Sequence, residues 1–329
     1  MKPSPADFAK DRVMGALWGS LIGDALGVPV EFKDREELVQ HPVTGMREYG
    51  THHQPKGTWS DDGALILCTV DSLVNAEFDT QDMGRRFVRW MNEELWTATG
   101  VVFDIGMITT SALMRIANGT LAEAAGGRDE YSNGNGSLMR IIPVALRFAS
   151  LPTLAFAERL SRVSAITHGH ERAKMACVFY GLLVRQLLLG WKPGAALDSA
   201  RAEFTGLYER SAEFKQFCHI LSDDFLSMPA EEIISTGYVM HTLHASVWCL
   251  LNTENYRDCV LSAVNLGGDT DTAGCVAGGL SGAFYGMKDI PSEWLNQLPK
   301  KGDLDCLFHE FAELCSERTP PRQGSNEPR

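Results

Sequence analysis

Positive charge is scarce in this chain of 329 residues: 30 Lys and Arg stand against 42 Asp and Glu, a formal net charge of −12. A sequence-independent nucleic-acid binder needs basic groups to displace phosphate counterions, and docking on anionic lipid needs them too, so neither function is expected. No apolar run approaches the roughly 20 residues that span a bilayer. The N-terminal MKPSPADFAKDR has none of the apolar stretch of a signal peptide, so secretion is not expected. Alternating apolar segments bounded by turns, the mark of strands, are missing. So are a GxxxxGKS/T phosphate loop, a GxSxG elbow and an HExxH zinc motif. The eight cysteines, Cys68, Cys177, Cys218, Cys249, Cys259, Cys275, Cys306 and Cys315, form no CxxC pair. That suits reduced thiols in a cytoplasmic protein rather than a disulfide framework or a zinc site.

Helical periodicity is present instead, and 44% of the residues are apolar, enough for a large core. The spacing of Val13, Leu17 and Leu21 predicts a helix over 7–27. Ile105, Ile108, Ala112 and Ile116 predict one over 104–117, stopped by Asn118-Gly119. Further helices are expected over 171–190, 231–251 and 272–286. The expected architecture is all-α: one compact, orthogonal multi-helix domain over 8–317. The polar, Pro-rich tail at 318–329 is expected to be disordered.

Two segments carry glycine at every fourth position: Gly15, Gly19, Gly23 and Gly27, then Gly274, Gly278, Gly282 and Gly286. Glycine inside a helix costs about 0.5–1 kcal/mol relative to Ala. The spacing bares one face of each helix for close approach, so the two are expected at the centre, packed against each other.

Two acidic clusters stand out. Ser60-Asp61-Asp62 lies in GTWSDDGALIL, and Asp269, Asp271 and Thr272 lie in NLGGDTDTAG. Each follows a Gly-containing turn and opens an apolar helix, so capping alone would account for either one. Together, four carboxylates ahead of buried helices would repel strongly unless cations neutralised them. The donors are all oxygen, which favours Mg²⁺, Mn²⁺ or Ca²⁺ over Zn²⁺. Adjacent Asp61 and Asp62 diverge by about a hundred degrees on a helix, so each can hold a different ion. The same SDD string at Ser222-Asp223-Asp224 has no Gly turn before it and reads as a surface cap. DTDTA at 269–273 lacks the preceding strand of an aspartate-nucleophile phosphatase, and Ala273 and Leu280 rule out an EF-hand loop.

GALWGSLIGDALGVPVEF (15–32), GTWSDDGALIL (57–67), FDIGMIT (103–109), NGNGSLMRIIPVAL (133–146), ITHGHERA (166–173), TGYVMHTLHASVW (236–248) and NLGGDTDTAG (265–274) are co-linear motifs. In that order they resemble the ADP-ribosylglycohydrolase family, which includes the dinitrogenase reductase-activating glycohydrolase. The resemblance covers about residues 10–290. It implies an all-α fold around two divalent cations, Mg²⁺ or Mn²⁺, held by Ser60, Asp61, Asp62, Asp269, Asp271 and Thr272. It places Glu31 beside the metals and the substrate, and Asp104 near the ribose. It places Asn135, Gly136, Ser137 and Met139 on the diphosphate and distal ribose, His168 near the phosphates, and Gly237 with Tyr238 beside the adenine. Relatives often have TDDT where this chain has Ser60-Asp61-Asp62-Gly63, so a hydroxyl at 63 is missing. Asp24 is either a buried hydrogen-bonding residue or a site group. Trp59 is expected to pack beside the site, and His52, His53 and His170 to lie on the surface or in loops.

The implied activity is hydrolysis of the glycosidic bond between ADP-ribose and a modified protein side chain, with arginine favoured. Serine-linked or free ADP-ribosyl compounds are the enzymatic alternatives. An antitoxin that binds and blocks an ADP-ribosyltransferase is the alternative of another class. Cleavage builds oxocarbenium character at ribose C1″. Metal-bound hydroxyls and an activated water suit it, with Glu31, Asp62 or Asp104 moving the proton.

Overall fold

The deepest helix explains the rest of the molecule. A computed structural model describes residues 5–316, and the tail expected to be disordered lies outside them. Twelve helices of seven or more residues carry the architecture: α1 (Pro5–Gly27), α2 (Asp61–Asn75), α3 (Thr80–Glu93), α4 (Met107–Ala117), α5 (Ile142–Phe148), α6 (Thr153–Ser164), α7 (Glu171–Leu188), α8 (Pro193–Tyr208), α9 (Val239–Leu251), α10 (Tyr256–Val264), α11 (Thr270–Tyr285) and α12 (Lys301–Ser316). Among the described residues there are only isolated bridges and no extended strand. The single all-α domain expected from the sequence is what is observed.

α1 and α11 run antiparallel through the centre in extensive contact. Their glycine faces meet. A Cβ added at Gly19 would lie 2.4 Å from the Gly278 carbonyl oxygen, and one at Gly23 would lie 2.0 Å from that of Gly274. Only bare backbone fits this interface, which is why glycine is accepted inside both helices despite its propensity cost. The Tyr256 hydroxyl donates to the Gly19 carbonyl at 2.8 Å, and Thr270 Oγ1 donates to the Gly27 carbonyl at 2.8 Å. α9 and α10 pack against α11, while α12 and α2 pack against each other and against α1.

Every residue from Val13 to Val30 is buried. By length and composition alone, Lys10–Val30 is apolar enough to cross a membrane, contrary to the expectation that no run is. Its surroundings explain the composition: a helix enclosed on all sides has no polar face. α7 is similar, with all but Lys174 buried between Arg172 and Leu187.

Two helices start later than their periodicity predicts. α4 begins at Met107, not 104, because Asp104 adopts φ of 60° and leaves the helical path. α9 begins at Val239, not 231, because residues around Gly237 pair with the loop at 133–135.

Candidate active site

The end of α1 gathers both acidic turns. Asp24 is fully buried, and its carboxylate accepts from Ser60 N at 3.0 Å and Gly63 N at 2.8 Å. It therefore holds the first turn in place and is a buried hydrogen-bonding residue. Burial lifts it to about 7, against the pull of the Ser60 and Gly63 amides. The Thr270–Gly27 hydrogen bond pins the second turn to the same end of α1. That turn needs left-handed backbone at Gly267 (φ 78°) and Gly268 (φ 70°), and a Cβ on Gly268 would sit 2.1 Å from the Ser235 carbonyl oxygen.

The two turns meet: Thr272 Oγ1 lies 3.4 Å from Asp62 Oδ1. Ser60 does cap α2, accepting from Asp62 N. Asp269 occupies the corresponding position before α11 but makes no side-chain cap. Its Oδ2 accepts from Asn135 Nδ2 at 2.9 Å, and Asn135 also reaches Thr242 Oγ1 at 2.8 Å. Capping thus accounts for Ser60 and leaves the carboxylates unexplained.

Glu31, Asp269 and Asp271 bring a carboxylate oxygen each within 4.8 Å of one another. Asp62 Oδ2, Asp269 Oδ1 and Asp271 Oδ2 are buried without any hydrogen-bond partner. Burial, then neighbouring carboxylates, push Asp61, Asp62 and Asp271 well above the usual carboxylate range. Glu31 rises to about 10 for the same reasons, with Asp104 its strongest neighbour. Buried carboxylate oxygens are seldom left unpartnered, so several orphaned together fit a site for hard cations. Gly63 does not turn toward this cluster: a Cβ there would meet Leu21 at 2.7 Å and Trp59 at 2.8 Å. A hydroxyl-bearing side chain at 63 therefore has no room here, and Asp24 orients the turn through the Ser60 and Gly63 amides.

Above the carboxylates opens a cavity of about 300 Å³. Glu31, Asp61, Asp62, Asp104, Asp269 and Thr272 line it, together with Gly134, Asn135, Gly136, Met139, His168 and Gly237. The loop carrying Asn135 is fixed by backbone pairing with the Tyr238 segment: Asn135 N donates to the Gly237 carbonyl and Val239 N to that of Asn133, each at 3.0 Å.

His168 is buried and neutral; burial, then the Arg140 charge, lowers it to about 3. Arg140 Nη2 donates to Thr167 Oγ1 at 2.7 Å, and Thr167 Oγ1 lies 2.8 Å from His168 Nδ1. A guanidinium can only donate. Thr167 Oγ1 therefore accepts from Arg140, and of its two partners only His168 Nδ1 can accept its proton, an arrangement that favours the imidazole proton on Nε2. Nε2 lies beneath Gly134 and Gly136, so His168 presents an N–H to the cavity lining.

Two of the residues expected to contact the nucleotide, Ser137 and Tyr238, do not line this cavity. Ser137 is fully buried, bonded to Ser164 Oγ at 2.9 Å and Cys177 Sγ at 3.5 Å, and does not line the cavity. Tyr238 borders a neighbouring cavity of about 250 Å³ with Gln216, His219 and His244. Its hydroxyl accepts from Arg172 Nη1 at 3.1 Å. Trp59 packs as expected, donating to the Trp96 carbonyl at 2.9 Å.

His52 lies in a turn, as expected, but its side chain reaches the site. Its Nε2 contacts Glu31 Oε2 and lies 3.9 Å from Asp104 Oδ1. No motif spacing marks it, because its partners are 21 and 52 positions away in sequence. His53 is exposed. His170 caps α7 through Nδ1, accepting from Arg172 N at 3.2 Å. Ser222 caps the 3₁₀ turn Asp223–Ser227, as expected of that SDD string.

Residues 5–321 match the ADP-ribosylglycohydrolase family. The chain belongs to that family. Over 308 residues it is 33% identical to ADP-ribosylarginine hydrolase Tri1 of Pseudomonas putida (strain GB-1), covering 92% of this chain and 78% of that protein. It is 29% identical to the ADP-ribosyl-[dinitrogen reductase] glycohydrolase of Rhodospirillum rubrum, covering 88% of this chain and 91% of that one. A solved ADP-ribosylglycohydrolase-related protein complex contains a chain that superposes with a TM-score of 0.78 at 32% identity, covering 93% of this chain and 99% of that one.

Proposed function

We propose that this protein hydrolyses the N-glycosidic bond between ADP-ribose and an arginine side chain of a modified protein, reversing mono-ADP-ribosylation. One observation carries the reading: two acidic turns meet beneath a cavity and leave carboxylate oxygens without partners. Ser60, Asp61, Asp62, Asp269, Asp271 and Thr272 would hold two divalent cations, and this all-oxygen set favours Mg²⁺ or Mn²⁺. When bound, such ions orient sugar hydroxyls and lower the pKa of a water.

The chain's own groups do the rest. Asp62 faces Thr272 with one oxygen and has its other oxygen orphaned among the carboxylates, which suits a ligand better than a proton carrier. Glu31 and Asp104, both on the cavity wall, are the groups to move the proton. Burial and surrounding negative charge raise the proton affinity of Glu31. It can take a proton from the attacking water, or give one to the nitrogen that leaves as the C1″–N bond breaks. The His168 N–H and the Gly134–Gly136 backbone offer donors to an anionic diphosphate. Both relatives named above carry ADP-ribosyl hydrolysis in their names, and one specifies arginine. We place the activity in a reducing cytoplasm, which the buried thiols Cys68, Cys177, Cys249, Cys259 and Cys275 suit.

The test is release of ADP-ribose from Arg-, Ser- and Asp/Glu-modified proteins, with and without chelator. Release from the arginine-linked protein, lost with EDTA and restored by Mg²⁺ or Mn²⁺, is expected. No release from arginine, or release indifferent to chelator, would overturn the reading.

A further inference from the structure

We propose that Phe32 selects the arginine-linked substrate by taking the guanidinium of the leaving side chain on its exposed ring. This rests on the hydrolase reading above. Phe32 follows Glu31 directly and lines the same cavity, yet the residue is 66% exposed. Large apolar groups at a cavity mouth are candidates for ligand contact, whereas scattered ones need no explanation.

The backbone at Phe32 is held in an unusual conformation. Phe32 has φ of 65°, a left-handed conformation that a bulky side chain rarely adopts. Two hydrogen bonds fix it there: Phe32 N donates to the Gly268 carbonyl at 2.7 Å, and Gly268 N donates to that of Lys33 at 2.9 Å. Gly268 precedes Asp269, so the Phe32 backbone is tied to the second acidic turn. Strain maintained beside reacting groups points to use. The ring also heads an aromatic row, with His52 at 6.1 Å and Phe103 at 5.1 Å beyond His52.

A leaving group within reach of Glu31 must emerge past this rim. A ribosylated guanidinium stays planar and cationic, and such a group stacks on an aromatic face. A serine hydroxyl offers that face nothing.

The test compares the parent with Phe32→Leu, which keeps apolar bulk without a ring, and Phe32→Tyr, which keeps the ring. The readouts are kcat/KM on matched arginine- and serine-linked ADP-ribosyl peptides, and the Kd of ADP-ribose, which lacks the leaving group. Phe32→Leu is expected to lower kcat/KM on the arginine-linked peptide about five- to tenfold. Its ADP-ribose Kd and any activity on the serine linkage should stay within about twofold, and Phe32→Tyr should match the parent. An unchanged arginine rate in Phe32→Leu, or an equal loss of ADP-ribose affinity, overturns the assignment. A parent that releases nothing from arginine overturns the hydrolase reading, and this inference falls with it.

Discussion

Thr272 Oγ1 donates to Asp62 Oδ1 at 3.4 Å, across 210 positions of sequence. The contact exists because α1 and α11 share a glycine face, and because Asp24 and the Gly27 carbonyl at the end of α1 each hold one acidic turn. Packing of two bare helices thus becomes placement of carboxylates.

Those carboxylates oppose one another when no cation is bound. Asp271→Asn removes one buried charge and keeps the shape. The metal-free variant should melt a few degrees above the metal-free parent, because mutual repulsion is relieved. Its melting response to Mn²⁺ should shrink, and its ADP-ribose release should fall at least 100-fold. Thermal melts with EDTA and with Mn²⁺, alongside the release assay, check all three.

The pH dependence has a definite sign. Asp24 is raised to about 7 and Glu31 to about 10, with burial the main cause of both. The native state holds these protons more tightly than the unfolded chain does. The stabilisation is therefore complete below the unfolded values, about 4, and is lost as pH rises through the folded ones. Metal-free protein should melt lower at pH 8 than at pH 5. Cations displace the protons, so saturating Mn²⁺ should narrow the gap. A metal-free melting temperature that climbs between pH 5 and 8 would contradict this.

Glycine substitutions should divide sharply. Gly278→Ala places a Cβ 2.1 Å from the Gly19 carbonyl oxygen and must push the central helices apart. Loss of more than about 3 kcal/mol, or failure to fold, is expected from such overpacking. Gly206, inside α8, has nothing within 4 Å of an added Cβ. Gly206→Ala should stabilise by about 0.5–1 kcal/mol. Chemical denaturation of the two variants measures the contrast.

The Arg140–Thr167–His168 relay is open to direct observation. Thr167→Val removes the hydroxyl that donates to Nδ1 and keeps the bulk. The ¹⁵N shifts of His168 should move from the Nε2–H tautomer toward a mixture, and ADP-ribose should bind about tenfold more weakly. Unaltered shifts would contradict the relay.

Much of this was legible in the sequence. Glycine at every fourth position announced α1 and α11, and hydroxyl and carboxylate side chains after Gly turns announced the two clusters. The late starts of α4 and α9 were not legible. Asp104 and Phe32 take left-handed backbone that nothing local requires, held by contacts from distant loops. His52 was missed because its site role comes from Glu31, a partner brought close only by folding. Ser137 turned inward because Ser164 and Cys177 satisfy it there. Lys10–Val30 exceeded its expected hydropathy because burial on all sides removed the need for a polar face.

The most direct measurement is titration of metal-free protein with Mn²⁺ by calorimetry, on the parent and on Asp61→Ala and Asp269→Ala, one variant from each turn. Two cations per chain are expected in the parent, with fewer or far weaker sites in both variants. A parent that binds none, or either variant binding two with parental affinity, would contradict a cation site shared by the two turns.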